Sequence, residues 1–305
     1  MVDTSDRPAR VIALLNQKGG VGKTTTSVNL AAAMARLNAR TLLVDLDPQA
    51  HATLHLGLGP EDLHGTIYDL LHSPEEDPRQ VIIAARENLG VLPSETDLAA
   101  AEVELGMADD RHGRLARVLG HVAHDYDLVL IDCPPALGML TINALVAADE
   151  VIIPMQAHFL SLQGVGKLLE TVSLVTHEIN PRLKVTGVVL CMFDSQATHT
   201  QEVVADIEAF FESSREQPVA WREARLLRPA IRRNVKLAEC PSFGKTIFDY
   251  APAAAGAEDY TALARAIMAG GPGATPSRDG SRTDEREPEP PTIEVMTSAC
   301  ERISD

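Results

Sequence analysis

A chain of 305 residues with 45% apolar content is long enough for one large domain, and its 4% aromatic content leaves the core to Val, Leu, Ile and Ala, a composition suited to a parallel sheet covered on both faces. Its 43 carboxylates against 27 Lys and Arg give a formal net charge of −16; such a field repels phosphate backbones, so any nucleic-acid contact has to come from a local concentration of cations. Cys133, Cys191, Cys240 and Cys300 lie far apart with no C-x-x-C or Cys/His spacing, which argues against a structural zinc site or a disulfide scaffold and for reduced thiols.

Residues 1–9 carry no apolar leader and are expected to be a flexible N-terminus. No apolar run approaches the ~18 residues of a membrane span, so a soluble cytoplasmic protein is expected. The run "RVIALLNQ" (10–17) reads as a buried strand ending on a glycine loop. In 24–39, Val28, Leu30, Ala31, Met34 and Leu37 recur at helical spacing. Further strands are expected at 40–49, 89–94, 126–135, 149–155 and 183–193, with a short last one at 244–250. Helices are expected between them at 138–147, 161–178 and 200–211. Alternating β and α elements imply a mostly parallel twisted sheet with right-handed crossovers and helices on both faces. The domain should span 10–269 and include a basic insertion at about 212–233. From 270 to 305 the chain is an acidic Pro/Gly-rich tail without periodicity, read as disordered, with a short helix possible in 293–305.

The stretch "QKGGVGKT" (17–24) fits the phosphate-loop pattern G-x-x-x-x-G-K-[ST] except at its first position, where Gln17 stands for glycine. Glycines let backbone N–H groups turn inward around an anion, and the helix that follows adds its N-terminal partial charge. Lys18, Gly19, Gly20, Val21, Gly22, Lys23, Thr24 and Thr25 are therefore the candidate triphosphate cradle. Lys23 would reach the β- and γ-phosphates, the Thr24 hydroxyl would ligate Mg²⁺, and Thr25 would bond an α-phosphate oxygen. The bland alternative is a glycine turn that merely opens a helix. It leaves unexplained why two acid-ended strands, carrying Asp45 and Asp47 and then Asp132, finish at the same sheet edge. Asp45 would sit near the Mg²⁺ shell. An aspartate after a strand can also simply cap the next helix.

"KGGVGKTTT" (18–26) resembles the deviant Walker A box of the ParA/Soj and MinD group of P-loop ATPases. The resemblance continues through 92–105, 131–156, 179–194 and 232–245 and covers about residues 10–269, closest to the Soj-type chromosome-partition branch. It implies an ATP- and Mg²⁺-dependent ATPase that forms a homodimer in its ATP state, with Lys18 acting across the interface on the partner's phosphates. It implies that Asp47 orients the attacking water, that Asp132 is the Walker B acid holding Mg²⁺ through water, and that 235–241, Pro241 included, lies near the adenine. It also implies nonspecific double-stranded DNA as the track, a ParB-like activating partner, a role in chromosome or plasmid partitioning, and nucleoid association.

Two departures matter. The basic helix by which MinD-type relatives bind membrane is replaced by an acidic 293–305, so no membrane is expected. Two basic stretches of Soj-type proteins read "FDSQATHTQ" and "YAPAAAGA" here, without arginine. Against that loss, 215–236 concentrates cations, and Arg222, Arg225, Arg228, Arg232, Arg233 and Lys236 are the candidate DNA contacts. The alternative is a surface paired with acids of the same chain, the tail among them. The rival functions are a ParA-like positioning ATPase for a non-DNA cargo or surface, and a metabolic ATP-dependent enzyme on the same fold, such as an amide- or ring-forming synthetase.

Overall fold

The computed structural model describes residues 8–194 and 197–270; the tail assigned to 270–305 lies, beyond Gly270, outside the described residues. Among the described residues, eight strands form one sheet: β1 (Arg10–Leu14), β2 (Thr41–Asp45), β3 (Ile83–Arg86), β4 (Leu89–Leu92), β5 (Leu128–Asp132), β6 (Glu150–Met155), β7 (Lys184–Leu190) and β8 (Arg225–Leu227). Their spatial order is β3-β4-β2-β5-β1-β6-β7-β8, parallel throughout except where β3 runs antiparallel to β4. The helices in chain order are α1 (Lys23–Arg36), α2 (His51–His55), α3 (Ile67–His72), α4 (Leu98–Gly106), α5 (Arg114–Gly120), α6 (Met139–Ala147), α7 (Phe159–Glu178), α8 (Thr198–Ser213), α9 (Val235–Glu239), α10 (Ile247–Tyr250) and α11 (Ala255–Ala269).

The central strands are buried on both faces, which is why they read as continuous apolar runs. Successive side chains still alternate between two cores. Ala13, Val44 and Ile131 pack with α3 to α8, whereas Ile12, Leu14, Leu43 and Leu130 pack with α1, α10 and α11. Chain direction diverges around β1, and β1, β2 and β5 all end at the same edge. That edge holds the glycine loop, Asp45 and Asp132, with Leu14 in register with Asp132 and Asp45 with Asp132.

Three elements differ from the sequence reading. Residues 244–250 are not a strand. Thr246 Oγ1 accepts the Asp249 N–H, and the Asp249 carboxylate accepts the Thr246 N–H. This capping box starts α10 and overrides the β-propensity of Thr-Ile-Phe. The edge strand β3 reads Ile-Ala-Ala-Arg and has no alternation to announce it. β8 lies inside the basic stretch, where it buries Leu226 and Leu227 and leaves Arg225 exposed. Trp221 packs that stretch against the core and donates to Ser214 Oγ at 3.2 Å.

Candidate functional site

The glycine loop is held at its start by Asn16. This buried side chain donates to the Pro154 carbonyl (2.7 Å) and accepts the Lys18 N–H (2.9 Å). Gly20 and Gly22 take left-handed φ values of 73° and 92°, a region open mainly to glycine. A Cβ on Gly22 would also stand 3.3 Å from Cys191 Cβ, a tight approach that adds to the strain of its φ. Gly22 is the N-cap of α1 and contributes no side-chain cap, leaving the first-turn N–H groups of α1 available to an anion. Val21 is buried, whereas Lys18, Gly19 and Gly20 are exposed. Gln156 steadies the loop from β6 by donating to the Gly20 carbonyl at 3.1 Å.

Lys23 is 8% exposed, and its ammonium lies 3.4 Å from Asp132 and 3.9 Å from Asp47. Burial pushes its pKa down, but the neighbouring Asp132 and Asp47 more than reverse this and hold it above the ordinary lysine value. Asp132, fully buried, also accepts the Thr24 hydroxyl (2.7 Å) and the Ser27 hydroxyl (2.7 Å). The Walker-type carboxylate, the lysine and the threonine expected from sequence are therefore one connected cluster.

Asp45 is fully buried beside Asp132, and burial followed by that like charge raises its pKa to about 7. Its oxygens accept the Thr53 N–H and hydroxyl, both at 2.8 Å, and the Asp47 N–H at 3.3 Å. Asp45 thus fastens the turn that carries Asp47. Asp47 accepts the Gln49 N–H through its side chain (3.0 Å), and its carbonyl accepts the Ser94 hydroxyl (2.9 Å) and the Ala50 N–H (2.8 Å). Ala50 sits at φ 52°, an uncommon region for a residue with a Cβ.

Beside the loop opens a cavity of about 390 Å³ that shares Gly22 and Thr25 with it. Its walls include Cys191, Met192, Ile231, Arg233 and Tyr260, together with Val235, Leu237 and Ala238 from α9. Most of that lining is apolar, the character a flat aromatic base requires. The segment 235–241 is therefore divided. Val235, Leu237 and Ala238 face the cavity, while Pro241 is exposed in the turn that follows and is not among the lining residues. A cation-neutralised polyphosphate fits the observed parts. Glycines with open space at Gly19 and Gly20 leave room for close backbone approach, and Thr24 with Asp132 is an all-oxygen donor set of the kind a hard divalent cation takes.

The candidate DNA contacts run from the β8 edge of the sheet, at Arg222, Arg225 and Arg228, to the rim of that cavity, which Arg232 and Arg233 also line. Arg228 pairs with Glu208 of α8 at 2.7 Å. Arg232 pairs with Asp259 (2.8 Å) and Glu258 (3.2 Å) of α11. Lys236 pairs with Glu239 (2.9 Å) and lies over the Tyr250 ring. Arg222 stands 3.7 Å from Glu223, and Arg225 and Arg233 are exposed. The local excess of cations along the sequence is thus offset in part, at Arg228 by α8, at Arg232 by α11 and at Lys236 by Glu239.

Sequence reasoning missed Asn16, Ser27, Thr53, Ser94 and Gln156. Only Ser27 left a usable signal, because it lies four residues after Lys23 on α1 and so on the same helix face. The others act through turns whose geometry is not periodic. Cys133, Cys191 and Cys240 are all buried. Burial pushes the Cys133 thiol far up and those of Cys191 and Cys240 to about 11, so none of the three is a ready thiolate.

Comparison with known proteins agrees with this geometry. A family model described as an AAA domain matches residues 9–185. The chromosome partitioning protein ParA of Myxococcus xanthus is 44% identical over 261 residues, 85% of this chain and 88% of the relative. The sporulation initiation inhibitor protein Soj of Bacillus subtilis is 43% identical over 263 residues, 86% of this chain and 99% of that one. Among solved structures, cobyrinic acid a,c-diamide synthase from Mycobacterium smegmatis with bound ADP and magnesium superposes with a TM-score of 0.71 at 36% identity, covering 86% of this chain and 94% of that one. An ATP complex of Cyanothece McdA reaches 0.73 at 21% identity over 86% and 97%, a likeness of fold alone.

Proposed function

The chain belongs to the ParA/Soj family of chromosome-partitioning ATPases, and on that premise we propose that it is an ATP-gated dimerising switch acting in chromosome or plasmid partitioning. In this reading the ATP-bound homodimer rides on nonspecific double-stranded DNA in the cytoplasm, associated with the nucleoid. Hydrolysis is slow alone and is stimulated by a ParB-like partner.

The observation that carries the proposal is the cluster of buried Lys23, Asp47 and Asp132 with half-buried Thr24, beneath a glycine loop whose other lysine, Lys18, is exposed. Backbone N–H groups from Gly19 to Thr25 cradle the phosphates. Lys23 neutralises the β- and γ-phosphates, and Thr25 bonds the α-phosphate. Thr24 and Asp132 would hold Mg²⁺, with Asp45 behind them, and the ion would neutralise charge on the phosphate oxygens. Asp47 orients the attacking water, its position set by Asp45, Ser94 and Thr53. An exposed Lys18 is placed to serve a second copy, adding a cation where charge develops between the β- and γ-phosphates. The base lies against Val235, Leu237 and Ala238.

The test is binding to a nonspecific duplex in ATP, ADP and no nucleotide, titrated with salt, with Lys18→Ala alongside. ATP-only binding that weakens steeply with salt and is lost in the variant supports the reading. Dimerisation in ATP without DNA binding in any state favours the second reading, a positioning ATPase whose track is not DNA. The ion pairs along the β8 edge and the missing family arginines are the observations on its side. A membrane is not the proposed track, since 293–305 carries Glu294, Glu301 and Asp305 against Arg302 alone where a membrane-surface helix needs a basic face. A metabolic amide-forming enzyme has on its side the 36% identity to cobyrinic acid a,c-diamide synthase, but the buried cysteines of the described residues offer it no ready thiolate.

A further inference from the structure

The base side of the cavity and the turn carrying Asp47 come from distant parts of the chain, yet one short segment joins them. Residues 244–247 follow α9 and its 3₁₀ continuation (Cys240–Phe243), and three contacts from the opposite side grip them.

The first contact is backbone on backbone. Gly57 (φ 82°) and Gly244 (φ 61°) lie so close that a Cβ on Gly244 would stand 2.6 Å from Gly57 Cα. A Cβ on Gly57 would stand 3.0 Å from the Gly244 carbonyl oxygen. Both positions require glycine for their φ as well as for space. The second is His55, the last residue of α2 and 2% exposed, buried against the same segment, where the Lys245 backbone favours its charged form and burial opposes it. Its Nε2 has no hydrogen-bond partner among the described residues. A buried orphan nitrogen is costly, and a leucine would fill the same space without that cost. The third is Asn29 of α1, whose Oδ1 accepts the Ile247 N–H (2.8 Å) while its Nδ2 donates to the Thr25 carbonyl (2.8 Å).

The other ends of these contacts are the reacting parts. α2 begins four residues after Asp47, with the Ala50 N–H on the Asp47 carbonyl and Thr53 fixed to Asp45. Thr25 lines the cavity, and α9 supplies its base-facing wall. Gly244 and Lys245 therefore form a continuous path from α9 to His55 and Gly57, and so to the helix that follows the Asp47 turn.

We propose that His55 and the Gly57–Gly244 contact are positioning residues that make hydrolysis conditional on the base, by coupling the α9 wall of the nucleotide cavity to Asp47. The proposal rests on the reading of this cavity as the ATP site and of Asp47 as the residue that orients water. It assigns a role to a histidine whose burial without a full set of partners is otherwise a liability to the fold.

The test compares turnover of Mg²⁺-ATP with that of Mg²⁺-tripolyphosphate, which has the phosphates and no base, in the full chain and in His55→Leu and Gly244→Ala. The wild type should turn over ATP at least tenfold faster in kcat than tripolyphosphate. His55→Leu should melt no lower than wild type, bind ATP within about twofold of it, and lose most of the kcat advantage of ATP. Gly244→Ala should do the same where it folds; the conclusion stands on His55→Leu. Equal kcat for the two substrates in the wild type, or a His55→Leu protein that keeps the full advantage, overturns the proposal. A wild type that binds ATP but hydrolyses neither substrate overturns it together with the role given to Asp47. Loss of ATP binding in the wild type itself would instead overturn the nucleotide-site reading.

Discussion

The middle of the sheet and its β8 edge both concentrate charge, and they do so under opposite physical conditions. At the carboxyl ends of β1, β2 and β5, one lysine and three aspartates are nearly or wholly removed from water: Lys23 is 8% exposed, Asp47 6%, and Asp45 and Asp132 not at all. Charges there interact through a weakly screening medium, and each must be matched by a partner or shift its pKa. Asp45 does shift, while Lys23 keeps its proton because carboxylates surround it. At the β8 edge the arginines are long, wet side chains, paired with acids whose attraction is screened by water and salt. A charge in the middle is fixed and specific. A charge at the edge can exchange its partner for another anion at little cost, which is what a nonspecific phosphate contact requires.

Breaking the middle should therefore have the larger consequences. Lys23→Ala removes the cation that, among the described residues, sits within the group of three carboxylates, and the principal counter-charge for a triphosphate. We expect ATP affinity to fall by at least ~100-fold, equivalent to about 2.7 kcal/mol, measured by calorimetric titration. Unchanged affinity would remove Lys23 from its assigned role. Asp47→Ala should leave binding intact and lower kcat by roughly 10²- to 10⁴-fold, the range for losing a positioned proton acceptor. Its ATP dimer should persist for as long as ATP is supplied, as read by light scattering. A monomer in ATP would mean that Asp47 serves assembly rather than the water.

The same contrast explains what the sequence discloses. The glycine loop is legible because its chemistry is carried by backbone conformation, and a local string of glycines with Lys23 and Thr24 dictates it. The buried strands are legible because parallel strands must be apolar on both faces. Asp132 can be placed because it ends such a strand. What cannot be read depends on contacts between distant segments. Ser94 reaches the Asp47 carbonyl, and Thr53 accepts the Ser94 N–H, only because β2 and β4 are neighbours in the sheet. The last strand expected at 244–250 is absent because Thr246 and Asp249 cap a helix there, while the real edge strand is three residues within a run of arginines. The basic stretch misleads for the same reason. Its cations are adjacent in sequence, but Glu208, Glu258 and Asp259 arrive from α8 and α11.

The edge itself divides along this line, and two sets of variants should separate its parts. Arg232 bonds Asp259 through both its Nε and Nη2 and meets Glu258, and Asp259 is 5% exposed, so this pair belongs more to the fold than to the surface. Arg232→Ala should lower Tm, because it leaves a buried carboxylate without its cation, and should barely change the salt dependence of DNA binding. Arg222 and Arg233 are exposed and lack such a buried partner. Replacing either by Ala should leave Tm in place and weaken ATP-state DNA binding modestly, measured at saturating ATP because Arg233 also lines the nucleotide cavity. Each lost phosphate contact should flatten the plot of log K against log salt by about 0.9. If the Arg222→Ala, Arg233→Ala double variant binds duplex with the wild-type slope, the edge carries no phosphate contact at these positions and its charge serves only to bind β8 to the rest of the sheet. If instead Arg232→Ala flattens the slope as much as they do, the Asp259 pair opens when DNA arrives, and even the most buried pair of the edge is exchangeable.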